Sequence, residues 1–89
     1  MKKIVQVTEV DGEGLEMLLG KKVELFCLNY IYAGTLTGVN KTCILIEDAY
    51  IVYETGAFGD AKYRDAQKLP KPRYVQIGAI ESFSETTKI

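Results

Sequence analysis

The run Tyr32-Ala33-Gly34-Thr35-Leu36-Thr37-Gly38-Val39, the pair Asn40-Lys41, and the run Thr42-Cys43-Ile44-Leu45-Ile46 read as two strands joined by a turn. β-Branched and aromatic residues dominate both runs, and Asn-Lys is an ordinary turn pair. Gly34 and Gly38 fall inside the first strand, where glycine marks strong bending or close backbone approach. Upstream, Lys22 to Leu28 alternates with period two, setting Val23, Leu25 and Cys27 on one face and Glu24, Phe26 and Leu28 on the other. Downstream, Thr42 to Thr55 resumes with Tyr50-Ile51-Val52-Tyr53 after Glu47-Asp48-Ala49, as one long bent strand or two short ones. Tyr74 to Ile77 and Ala79 to Phe83 are two further short strands meeting at Gly78.

Before these strands, Asp11 is a plausible N-cap and Leu15, Leu18 and Leu19 recur at one-turn spacing up to Gly20, a C-cap. This predicts about two helical turns, too short to stand without packing on the sheet. Residues 1–10 are expected to form a short strand or extended arm, residues 11–84 a single domain, and residues 85–89 a polar frayed tail. Residues 56–72, punctuated by Gly56, Gly59, Pro70 and Pro72, are expected to be a loop. In a small domain a loop of that length is functional or mobile. The fold class is therefore all-β with a short N-terminal helix, as a strongly bent five-stranded antiparallel barrel. Its last two strands leave apolar edges, and such edges invite pairing between subunits. Heterologous pairing that closes makes a ring, which supplies burial that a chain of 89 residues lacks.

Composition narrows the function classes. The chain has no histidine and no Cys-x-x-Cys pair, so the usual zinc patterns, the Ser/His/Asp triad and histidine acid–base catalysis are absent. Neither a metal nor a cofactor is expected, and the chain is not expected to be an enzyme. Adjacent strand residues face opposite sides, so Glu47 and Asp48 do not form a carboxylate dyad; Asp48 is expected to hydrogen-bond backbone at the strand bend. Cys27 and Cys43 stand singly in apolar runs and read as buried free thiols. No stretch approaches the length of a membrane span and no signal peptide is apparent, so a soluble cytoplasmic protein is expected. The net charge of −1 hides an uneven distribution, because Lys62 to Arg73 carries +4 and the remainder −5.

The order of these features resembles the Sm and LSm proteins and their bacterial relative Hfq over roughly Leu15 to Ser84. Tyr32-Ala33-Gly34-Thr35-Leu36-Thr37-Gly38 is similar to the family's Tyr-x-Gly-x-Leu-x-Gly segment, and Ile44-Leu45-Ile46-Glu47-Asp48-Ala49 to its Leu-x-Leu-x-Asp-Ala. Ala79-Ile80-Glu81-Ser82-Phe83 resembles the Ala-Ile-Ser-Thr-Val close of Hfq. Within the family, the chain is similar to the small Sm-like proteins carried by marine cyanophages. The resemblance implies a homo-oligomeric ring, joined through edges near Tyr74–Ile77 and Ala79–Phe83, that binds single-stranded RNA. It places the RNA-binding turn at Asn40, Lys41 and Thr42 and the second motif at Gly78. The match departs from the family there: Thr42 replaces the stacking phenylalanine of Hfq, and Gln76-Ile77-Gly78-Ala79 lacks the expected cation.

Two candidate sites follow. Asn40, Lys41 and Thr42 read either as base and phosphate contacts or as an ordinary turn. The stretch Lys62, Tyr63, Arg64, Lys68, Lys71 and Arg73 interleaves cations with tyrosine, a pairing suited to single-stranded nucleic acid, or else it is a solvated loop. The expected function is a ring-forming, RNA-chaperone-type RNA binder. The alternative is a ring-shaped protein-interaction or scaffold module without RNA binding.

Overall fold

A computed structural model describes residues 14–88, so the expected arm over residues 1–10 and the Asp11 N-cap lie outside the described residues. Among the described residues, six strands follow a single-turn 3-10 helix at Leu15–Leu18. They are β1 (Lys22–Cys27), β2 (Ile31–Val39), β3 (Cys43–Glu54), β4 (Asp65–Lys68), β5 (Arg73–Gln76) and β6 (Ile80–Glu85). A second 3-10 turn, Ile77–Ala79, separates β5 from β6. All pairings are antiparallel. The sheet path β4-β3-β2-β1-β6 is open, and β5 pairs β3 beside β4.

The alternation read in β1 holds, with Val23 and Leu25 fully buried. They form the core with Leu36, Ile44, Ile46, Ala49 and Val75, and Leu15 and Leu18 pack against its margin. The expected two-turn helix is shorter than the spacing of its leucines predicts. Gly14 caps it without a side-chain hydrogen bond, and the turn closes through Leu19 N–H on Glu16 O. So short a segment cannot recover the cost of α-helix nucleation from propagation. Gly20 does end it in a left-handed conformation, at φ 84°.

The Thr42–Thr55 stretch is one strand, bent at a β-bulge. Ala33 pairs with Tyr50 and Thr35 with Glu47, so Asp48 and Ala49 of β3 together face Gly34 of β2. Asp48 takes a left-handed backbone, φ 49°, which aspartate tolerates better than most residues. Contrary to expectation its carboxylate does not bond backbone at the bend; it is exposed and lies 3.6 Å from Lys68 Nζ. A second irregularity, between Leu36 and Gly38, leaves Thr37 outside the ladder with its Oγ1 donating to Leu45 O.

The bulge also explains the sixth strand. The expected loop 56–72 is strand over Asp65–Lys68, where Lys68 pairs with Tyr50 and Gln67 with Ile51. Leu69 N–H still donates to Ala49 O, after which Pro70 and Pro72 have no N–H to offer. Pairing resumes with Arg73 opposite Ile46, so β4 and β5 run along β3 in sequence, interrupted beside its bend. The expected frayed tail is also ordered through Lys88. Glu85 pairs with Val23, Thr86 N–H donates to Lys22 O, and Lys88 is 3% exposed. Cys27 and Cys43 are free and half-buried rather than fully buried, and burial raises the Cys27 thiol pKa. No helix among the described residues is long and apolar enough to cross a membrane.

Candidate nucleic-acid interface

The β2–β3 turn is built around Asn40. Its Oδ1 accepts hydrogen bonds from Thr42 N at 2.8 Å, Cys43 N at 2.9 Å and Thr42 Oγ1 at 3.1 Å. Its own N–H donates to Cys43 O. This is an Asx turn, in which the side-chain carbonyl is committed to the backbone. Asn40, Lys41 and Thr42 are exposed, and with Asn40 Oδ1 and Thr42 Oγ1 engaged in the turn, the side-chain donors left to a ligand there are the Asn40 amide nitrogen and the Lys41 ammonium. Ile77 N–H donates to Thr42 O, which draws the Ile77–Ala79 turn against the β2–β3 turn. Gly78 therefore does sit beside the candidate turn, and a Cβ on it would meet nothing within 4 Å. Replacing Asn40 by alanine is expected to cost about 1 kcal/mol, the range of a lost local cap. Urea unfolding at equal m-value checks it; a variant as stable as the parent would remove the structural role.

The second candidate divides in two. Arg64, Lys68, Lys71 and Arg73 follow one another along the β4–β5 line, with Arg73 opposite Ile46 near the β2–β3 turn and Asp65 opposite Glu54 at the far end. The structure thus places Arg73 beside the half of β3 that follows the β2–β3 turn and leaves Arg64, with Lys62 two residues before it, toward the other end of β3. All five cations are exposed. Arg64 Nε lies 3.8 Å from Glu54 Oε1, and this pair, like Lys68–Asp48, is too solvated to hold its cation firmly.

Tyr63 is not available for stacking. It is half-buried and its hydroxyl donates to Glu24 Oε1 at 3.0 Å. Burial, with the Glu24 hydrogen bond adding to it, pushes its phenol well above the usual tyrosine range. The ring faces Lys88 Nζ, 5.4 Å from its centroid.

The aromatic surface lies elsewhere. A cleft of about 240 Å³ opens between the β1–β2 connection and β5, lined by Cys27, Leu28, Tyr30, Tyr32, Arg73 and Tyr74. The Tyr30 and Tyr32 rings are 6.2 Å apart and tilted. Leu28, Tyr30 and Tyr74 are exposed and Tyr32 is half-buried. Period two puts Tyr30 and Tyr32 on one face, but nothing in the sequence says that β5 returns to the same place.

Among the described residues no group of three or more His, Cys, Asp or Glu side chains gathers in a way that could hold a metal ion. A scan against protein-family models finds no match to this chain, and a search of the curated proteins finds no relative. The functional reading therefore rests on the chain's own geometry and on the resemblance of its motifs.

Proposed function

We propose that this chain is a Sm-like, ring-forming protein that binds single-stranded RNA along its basic β4–β5 edge. The observation carrying this reading is the tyrosine cleft beside Arg73. Single-stranded nucleic acid is held by a cationic track together with aromatic faces, each stacked base contributing about 1 to 3 kcal/mol. The β2–β3 turn has lost its aromatic ring at Thr42, and Tyr30, Tyr32 and Tyr74 offer replacement faces next to the cations of the edge.

Ring assembly is supported by the open sheet. Among the described residues β4 and β5 pair with β3 alone, and β6 with β1 alone, which leaves unpaired backbone groups on both edges. Pairing at these edges is between backbone groups, so the side chains of Arg73 and Tyr74, which stand off the faces of the sheet, are left to RNA. Head-to-tail pairing of such edges is heterologous and closes into a ring when the rotation allows. The bulge opposite Gly34 supports the strongly bent barrel that the resemblance implies.

A second reading, a scaffold ring without RNA binding, is favoured by the commitment of the Asn40 carbonyl to its own turn and of Tyr63 to Glu24. Fluorescence anisotropy with labelled A-rich and U-rich single strands at low salt separates the two. The RNA reading expects binding tighter than about 100 μM, the weak limit of non-specific contacts, and a loss on Tyr74→Ala. No binding at that concentration leaves the scaffold. Native mass spectrometry is expected to show a closed oligomer; a monomer at micromolar concentration would remove the ring from both readings.

A further inference from the structure

The loop between β3 and β4 is held down by a residue far away in the chain. Lys88 is almost completely buried, a rare place for a lysine. Its Nζ donates to Thr55 O at 3.0 Å and to Ala57 O at 2.7 Å, and it lies over the Tyr63 ring. Two loop carbonyls and an aromatic face converging on one point form the ordinary recognition set for an ammonium ion. We propose that Thr55, Ala57 and Tyr63 form a primary-ammonium binding site whose resident ligand is the chain's own Lys88, and that filling it locks residues 55–64 onto the sheet.

The tail that delivers this ammonium is itself anchored. Thr86 N–H donates to Lys22 O, extending the β1–β6 pairing, and Lys88 N–H donates to Thr86 Oγ1. On the other side of the loop, the Tyr63–Glu24 hydrogen bond ties it to β1, and the Phe58 ring lies 6.4 Å from that of Phe26. Glu24 and Phe26 project from the face of β1 opposite the core, and Ala33 pairs with Glu24 on that same face. Val52 shares it through Ile31. Ala33 and Val52 are both buried, yet neither belongs to the main core cluster. The sheet thus has a second, smaller covered face, with loop and tail over it. Because Lys62 and Arg64 flank Tyr63, the clasp also fixes where those two cations are displayed. It operates whether the loop's partner is RNA or not.

Hydrogen exchange on the full chain tests this. In Lys88→Met, which keeps the stem and removes the charge, amides of residues 55–63 are expected to exchange about tenfold faster or more, while β1 amides stay within about twofold. In Lys88→Ala, excess n-propylammonium chloride is expected to restore loop protection, because it replaces the deleted atoms, whereas sodium chloride at equal concentration does not. Loop exchange at the parental rate in Lys88→Met would overturn the clasp. Equal loss of protection in β1 would overturn the local clasp as well, and absence of rescue by n-propylammonium would overturn the ammonium site.

Discussion

Gly34→Ala is expected to destabilise the domain by about 2 to 3 kcal/mol, the upper range for overpacking an interior position. A Cβ at Gly34 would lie 2.8 Å from Glu47 O, 3.2 Å from Ile46 Cβ and 3.3 Å from Ala49 Cα. Two of these atoms are backbone, so relief requires moving β3 at its bulge. That bulge seats Ile46 and Ala49 in the core and fixes the break between β4 and β5, so displacement spreads. Gly38→Ala is the internal control. Its Cβ would meet Leu45 Cβ at 3.4 Å, close to ordinary contact, and the reduced freedom of the unfolded chain offsets any crowding by about 0.4 to 1 kcal/mol. Chemical denaturation should therefore separate the two variants widely. Equal stabilities would mean that the bend does not depend on close approach at Gly34.

Neutralising Lys62, Arg64, Lys68, Lys71 and Arg73 together is expected to abolish the salt-sensitive part of RNA binding. Each phosphate contact to a single strand contributes a slope of about −0.7 in log K against log salt, so five contacts correspond to about −3.5. Between 50 and 200 mM salt that slope is a loss of about a hundredfold in affinity. Lys41→Ala should flatten the slope far less, since it removes one contact per subunit. The opposite pattern, with Lys41 decisive and the edge cations dispensable, would relocate the site to the β2–β3 turn and the ring's pore. Anisotropy titrations at several salt concentrations distinguish these outcomes without requiring knowledge of the natural target.

Much of the architecture was legible because it depends on neighbours in sequence. Alternation identified β1 and its buried face, β-branched content identified β2 and β3, and glycines inside β2 marked the places where strands bend or approach. The turn at Asn40 was legible for the same reason, since an Asx turn is closed within four residues. What misled was also local. Leucine spacing over Leu15–Leu19 predicts a helix, but spacing does not report whether enough residues follow to sustain one. Proline and glycine between residues 56 and 72 read as loop, although β4 needs only a partner strand, and β3 supplies it from the other side of the bend.

The candidate site divides along the same line. Sequence alone determined that positive charge concentrates between Lys62 and Arg73, because charge is a property of composition. It determined that Asn40-Lys41 can form a turn and that histidine-based catalysis is excluded, on the same grounds. Tertiary structure alone decided which of these groups face outward together. It turned Tyr63 inward onto Glu24, brought Tyr74 to Tyr30 and Tyr32, and buried Lys88 against a loop more than thirty residues upstream. Those outcomes rest on long-range pairing, in which the register of β3 with β2, β4 and β5 sets each side chain's position, and no local pattern encodes such a register.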